Sequence, residues 1–269
     1  MSMKLGVILH RTSWGMYRIK ELAARVAALI PKIMESASQE NTAASASIPS
    51  RAHRQQHWNR IYESKGPQDV SWYQRRPDMS LACIGASGLD KDACILDVGG
   101  GESTLVDFLL DAGYKRLAVL DVSGVALNHS RLRLGARAGS VEWFEEDVIS
   151  FVPPHRFDLW HDRAVFHFLT TDDDRRRYVA TLRKTLQPGG TAILSTFATN
   201  GPPKCSGLDV MRWDEQSIVA ELGAEFQLHE VHQETHITPW KSEQSFVCFR
   251  FQWRPARTLR EGGDRQERV

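Results

Sequence analysis

Five short apolar runs, interleaved with helix-length patterns, limit the fold of this chain more than any other feature. CILDV (94–98), RLAVLD (116–121), VEWFEED (141–147), FDLWHD (157–162) and TAILSTF (191–197) read as strands. Several are apolar throughout, as strands buried on both faces must be. Helical patterns follow over 103–113, 123–139, 172–186 and 214–223. Ser123 suits an N-cap, and the acids of DDDRRRYVATLRKTL precede its bases, which suits the helix dipole. This alternation predicts an α/β fold: a doubly wound, mostly parallel sheet with helices on both faces. Two period-2 stretches, FQLHEVHQETH (226–236) and SFVCFRFQW (245–253), predict a C-terminal antiparallel hairpin at one edge.

The ends of the chain read differently. Residues 35–50 hold five Ser and four Ala and predict a flexible linker. Residues 19–30 have apolar side chains at helical spacing with bases between them. They fit a surface helix, an extension ahead of a later start at Met34, or a mitochondrial targeting segment. The tail 254–269, with five Arg against three acids, predicts disorder. The expected organisation is an extension over 1–50, one domain over 51–253 and a tail over 254–269. The basic ends leave residues 35–253 at about −6 within an overall charge of +1. An acidic body argues against nucleic acid as a partner. The absence of an 18-residue apolar run argues against a membrane-spanning helix. Four cysteines without a Cys-x-x-Cys pair read as reduced thiols. These signs point to a cytoplasmic location, with mitochondria as the alternative; a monomer is the expected state.

LDVGGGES (96–103) lies where the first strand turns into the first helix. Gly99, Gly100 and Gly101 allow a tight turn and close approach of a ligand. A dinucleotide site would want a third glycine at 104, where Thr104 stands, and this weakens a nicotinamide oxidoreductase reading. Asp97 precedes the glycines and suits a ligand with a cationic head. Asp121 closes the second strand, where a carboxylate can accept both ribose hydroxyls. Asp147 closes the third, placed for an exocyclic adenine amine. Three acids in register on the carboxyl edge are far less expected by chance than any one.

With these motifs the sequence resembles the class I S-adenosylmethionine-dependent methyltransferases over about residues 55–253. LDVGGGES looks like that family's glycine loop, EEDV (145–148) its adenine motif and LQPGG (186–190) its turn into strand five. The resemblance implies S-adenosyl-L-methionine as cofactor and a seven-stranded sheet. It also implies cofactor contacts from Asp97, the three glycines, Asp121, Val122, Glu146, Asp147, Val148 and His161. More locally, residues 57–78 and HDRAVFHFL (161–169) resemble a branch that includes thiopurine methyltransferase-like and small lysine methyltransferase-like enzymes. By that likeness Trp58, Trp72 and Tyr73 are lid candidates, and Trp72 joins the cofactor set. Trp58 fits core packing as well.

Methyl transfer from a sulfonium is an in-line displacement, so alignment and exclusion of water matter more than a catalytic triad. The acceptor belongs at the ends of strands four and five. His161, Asp162 and Arg163 are the expected catalytic group. By resemblance to the Asp-Arg pair of the thiopurine-type enzymes, Arg163 is the substrate contact; an ion pair with Asp162 or Asp172 is the plain alternative. His161 suits either a base or a structural histidine. His167 reads as a hydrogen-bonded core residue and Cys205 as an exposed loop thiol. Lys204, His236, Trp240 and Lys241 lie on loops expected at the same edge. His229, His232 and His236 would align on a helix, but they fall in a strand pattern, so no metal site is expected. The expected activity is methyl transfer to a small-molecule heteroatom nucleophile, such as a thiol; a protein lysine is the alternative acceptor. Replacing Asp121 with Ala is expected to weaken S-adenosylmethionine binding about tenfold or more in calorimetry; unchanged affinity would refute the cofactor assignment.

Overall fold

The computed structural model describes residues 50–255. The expectations for 19–30, for most of the 35–50 linker and for the tail beyond 255 lie outside those residues. Two boundary residues belong to the fold. Ser50 is the N-cap of the first helix, its Oγ accepting from His53 N at 3.2 Å. Arg254 N donates to Glu225 O at 2.7 Å.

The elements in chain order are α1 (Arg51–Ser64), α2 (Asp78–Ala86), β1 (Cys94–Val98), α3 (Leu105–Asp111), β2 (Arg116–Asp121), α4 (Gly124–Leu134) and β3 (Val141–Glu145). Then come β4 (Phe157–Arg163), α5 (Asp172–Thr185), β5 (Leu186–Phe197), β6 (Lys204–Cys205), β7 (Leu208–Asp209), α6 (Glu215–Leu222), β8 (Phe226–Ile237) and β9 (Glu243–Trp253). One seven-stranded sheet runs β3-β2-β1-β4-β5-β9-β8. The first five strands are parallel to their neighbours, and β9 is antiparallel to both β5 and β8. This is the predicted architecture, terminal hairpin included. The strand order reverses direction between β1 and β4, so the carboxyl ends of those strands border the crevice where such sheets bind ligands.

Boundaries shift where side-chain pattern and backbone hydrogen bonding disagree. The helix expected over 123–139 stops at Leu134, where Gly135 takes φ 58°, and a 3-10 segment runs on to Ser140. The α3 helix is shorter than expected because Ser103 N bonds back to Gly100 O, which delays its start. The third strand ends at Glu145 rather than 147, and β5 begins at Leu186, across a register shift from β4. Helix α2 has no strong sequence signal. Its DMSLACIGA is short and carries a glycine, and it forms because Cys83 and Ile84 bury against the sheet.

Alternation along β4 divides its side chains between two cores. Leu159 packs on one side with Ile95, Ile193, Cys83 and Cys248. Trp160 packs on the other with Tyr178, Leu182 and Phe249. Asp162 shares Trp160's side and is fully buried. It accepts from Tyr178 Oη at 2.6 Å and from Val165 N at 2.9 Å, and Tyr178 Oη accepts from Trp160 Nε1 at 2.9 Å. Burial pushes the Asp162 carboxyl up to about 6, with these donors acting in opposition. The expectation that Asp162 faces the acceptor is therefore corrected: period-2 geometry turns it under the sheet, where it pins the turn after β4 to α5. Tyr178→Phe strips the donor from Asp162 and the acceptor from Trp160. It should lower unfolding free energy by about 1–3 kcal/mol, read in urea as a lower midpoint at unchanged slope; an unchanged midpoint would show that the network carries none of the stability.

Candidate active site

The glycine loop, three strand ends and two N-terminal segments build the site. Gly99 N donates to Leu120 O at 2.6 Å, which ties the loop to β2. A Cβ on residue 100 would lie 2.5 Å from Asp97 Oδ2, and one on residue 101 would lie 2.6 Å from Asp121 Oδ2. Any other residue at 100 or 101 would displace a carboxylate. The loop thus brings Asp97 and Asp121 to the rim of one cleft.

That cleft has two connected parts, which share Tyr62, Trp72, Val98, Gly99 and Arg163. The larger spans about 790 Å³ when the space it opens to solvent is included. It is bordered by Asp121, Val122, Glu146, Asp147 and Val148 at one end and by Arg163, Phe168 and Cys205 at the other. The second part is bordered by Asp97, Gly100, Glu102, Ser103, Thr104, Ser80 and His161. Carboxylates at three strand ends, an apolar floor of Val98 and Leu120, and a glycine cradle fit a nucleoside with a cationic amino-acid tail.

Helix α1 roofs the nucleoside end and is held there by polar contacts, since its own side chains are mostly polar. Arg51 Nη2 donates to Glu145 O at 2.8 Å, Gln55 Nε2 to Glu145 Oε1 at 2.7 Å, and Ser123 Oγ to Asn59 Oδ1 at 2.7 Å. Arg54 Nε donates to Asp147 Oδ2 at 2.7 Å. Asp147 Oδ1 accepts from Ile149 N at 3.2 Å, so an adenine amine would share a carboxylate that is already engaged. Trp58 stacks edge-on against Trp72 and Phe168, with centroids 5.7 and 5.1 Å away. Both tryptophans border the larger cleft. Trp58 is thus part of its wall rather than only of a core.

At the tail end, His161 is buried and fully engaged. Its Nδ1 lies 2.8 Å from Asp97 Oδ1, which leaves Nε2 to accept from Ser80 Oγ at 2.9 Å. With both nitrogens occupied, His161 holds Asp97 in place, and the reading as a free base is set aside. Ser80 lies on α2, and nothing in the sequence marked it.

The acceptor end is set by a turn. Ala164 takes φ 71°, unusual for a residue with a Cβ, and its N–H bonds Ser195 O at 2.8 Å. This turn leaves Arg163 against the cleft, with only a tenth of its side chain exposed. Its guanidinium lies over the Phe246 ring at 4.4 Å, and Nη1 is 3.4 Å from Trp72 O. Burial lowers its basicity, and Glu234 opposes the shift. Neither Asp162 nor Asp172 pairs with it; Glu234 Oε2 stands 3.8 Å from Nε, beyond hydrogen-bond reach. Among the described residues Nε and Nη2 have no hydrogen-bond partner. Glu234 also accepts from Gln74 Nε2 at 2.7 Å, and His236 Nε2 bonds Ser71 O at 2.7 Å. The hairpin thereby anchors segment 71–74.

Other expected residues fall differently. Cys205 is buried against Phe197 and Phe246, not exposed, and burial lifts its thiol to about 11. His167 is packed, as expected, between Phe168 and Phe197. Among the described residues its ring nitrogens have no hydrogen-bond partner, however, and burial holds its pKa down to about 3, so it sits neutral. Lys204 pairs with Asp209 at the surface, and Trp240 is exposed on the hairpin tip, so neither reaches the cleft. Sequence reasoning missed Arg54, Tyr62, Ser80 and Glu234, because their roles depend on elements distant in the chain.

Comparison with known proteins agrees with this geometry. Residues 96–192 match the family model described as a methyltransferase domain. A curated relative, the eEF1A lysine and N-terminal methyltransferase of Bos taurus, is 22% identical over 149 residues, covering 53% of this chain and 21% of its own. The chain thus spans about a fifth of the length of that relative. Among solved structures, the N-methyltransferase NodS from Bradyrhizobium japonicum, in complex with S-adenosyl-l-homocysteine, superposes with TM-score 0.58 at 18% identity, covering 74% of this chain and 98% of NodS. The Burkholderia thailandensis 1,6-didemethyltoxoflavin-N1-methyltransferase gives 0.54 at 16% identity, covering 84% and 91%. At such identities these structures establish the shared fold.

Burial and the nearby Asp97 raise the Asp121 carboxyl to about 7, against backbone donors at Ser123, Gly101 and Val122. A folded pKa above the unfolded value means that the folded state holds the extra proton, so this group's contribution to stability falls as pH rises from about 4 to about 7. Asp121→Asn removes that penalty. The free variant should gain more thermal stability over wild type at pH 8 than at pH 5, and lose S-adenosylhomocysteine affinity; an equal gain at both pH values would refute the buried-acid account. The methyltransferase-domain match over residues 96–192, the sheet order and the cleft chemistry converge on one architecture: the chain has the Rossmann-like fold of the class I, S-adenosylmethionine-dependent methyltransferases.

Proposed function

We propose that the chain transfers a methyl group from S-adenosyl-L-methionine to a heteroatom nucleophile on a small molecule, with thiols among the candidates. The cofactor, when bound, supplies an electrophilic methyl on its sulfonium. The protein's own part is to bind, orient and exclude water. Asp97, held by His161 and Ser80, suits the ammonium of the amino-acid tail. Asp121 suits the ribose and Asp147 the adenine. Trp58, Trp72 and Phe168 wall the space beside Arg163 where an acceptor would lie.

The observation that carries the acceptor reading is the buried guanidinium of Arg163. A lysine ammonium entering there would meet a like charge in a poorly screened setting. Of the nearby carboxylates, Asp147 is engaged by Arg54 and Asp162 by Tyr178, while Glu234 accepts from Gln74 through one oxygen and keeps the other 3.8 Å from Arg163 Nε. A neutral or anionic acceptor meets no such opposition. A protein lysine remains the second reading, favoured by the 22% likeness to the eEF1A lysine and N-terminal methyltransferase.

Two measurements separate them. Methyl-labelled cofactor incubated with cell extract and the protein should place label in the small-molecule fraction; label confined to protein would establish the second reading instead. Arg163→Ala should lower kcat/KM for the labelled acceptor by at least about tenfold, and full activity would remove Arg163 from the acceptor site.

A further inference from the structure

Helix α2 carries a second feature that the methyl-transfer site does not use. Cys83 and Cys248 are each 1% exposed, and their sulfurs lie 3.2 Å apart. They belong to different elements, α2 and β9, separated by 165 residues. Cys248 sits mid-strand, opposite Ser195 of β5 and His232 of β8, so its backbone is held from both sides. Helix α2 is the more movable partner: it has nine residues and no side-chain cap at its N-terminus. Ser80, which bonds His161 Nε2, lies one turn before Cys83 on that helix. The cysteine pair is thus linked mechanically to the chain Ser80–His161–Asp97 at the tail end of the cofactor cleft.

We propose that Cys83 and Cys248 form a reversible disulfide under peroxide stress, and that closing it draws α2 away from His161 and weakens cofactor binding. The step balances with a hydroperoxide as oxidant. The Cys83 thiolate attacks the peroxide O–O bond and becomes a sulfenic acid, releasing water or an alcohol. Cys248 then attacks the sulfenic sulfur, the S–S bond forms, and a second water leaves. Two electrons pass from the two sulfurs to the peroxide, and a thiol reductant reverses the change. The hydrogen bond from Cys248 favours Cys83 as the attacking group, lowering its thiol to about 7, and pushes Cys248 well above its ordinary value. Burial and Glu230 oppose the Cys83 thiolate, and His232 favours it.

The test uses the full chain, reduced or treated with hydrogen peroxide, then denatured and labelled with N-ethylmaleimide. Oxidised wild type should take up two fewer labels, and peptide mapping should join 83 to 248. Its S-adenosylhomocysteine affinity should fall by about fivefold or more and recover with dithiothreitol. Cys83→Ala and Cys248→Ala should each bind as reduced wild type does and be insensitive to peroxide; either suffices if the other folds poorly. A link involving Cys94 or Cys205, no link at all, or a link without change in affinity would overturn the proposal. If reduced wild type itself fails to bind S-adenosylhomocysteine, the cofactor assignment fails, and mapping of the link still decides the disulfide.

Discussion

The close approach of the glycine loop to two buried carboxylates is the constraint on which the site depends. Asp97 and Asp121 stand where side chains at 100 and 101 would otherwise lie. Their spacing is set by adjacent parallel strands, with Val98 opposite Leu120 in the ladder. Neither acid is isolated. Asp97 is backed by His161 and Ser80, and Asp121 accepts from Ser123 N at 2.8 Å. Buried acids without such donors would be strongly destabilising. With them, the free protein keeps a cleft ready for hydroxyl and ammonium groups, at a stability cost at Asp121 that grows as pH rises to about 7.

The roof over this cleft is held in another way. Helix α1 lacks a strong apolar face and buries only Tyr62 fully. It stays in place through Arg51, Arg54, Gln55 and Asn59, whose partners lie at or just beyond the ends of β2 and β3. Segment 71–74 is tied instead to β8, through Gln74 to Glu234 and Ser71 to His236. Two segments thus cover the cleft by reaching back to its polar rim. Such contacts open more readily than packed cores, which suits a cover that a cofactor must pass.

Much of the fold was legible in the chain. Apolar runs marked the five parallel strands, and period-2 runs marked the terminal hairpin, because burial on two faces or on one leaves different patterns. The three strand-end acids were also legible, since their spacing follows from the β-α repeat. Asp162 was misplaced because its neighbours in sequence, His161 and Arg163, point to the other side of the sheet. Cys205 looked like loop and proved to be wall, because a loop's burial is set by what packs on it.

The sequence by itself determined the α/β sheet, its glycine turn and the acids that edge it. These follow from local periodicity and from residues fixed relative to their own strand. Only the tertiary structure decided that Ser80 completes His161, that Arg54 shares Asp147, and that Glu234 faces Arg163. Each of those pairs joins elements more than 70 residues apart, and no local pattern records which distant side chains a sheet will bring within hydrogen-bond or ion-pair range.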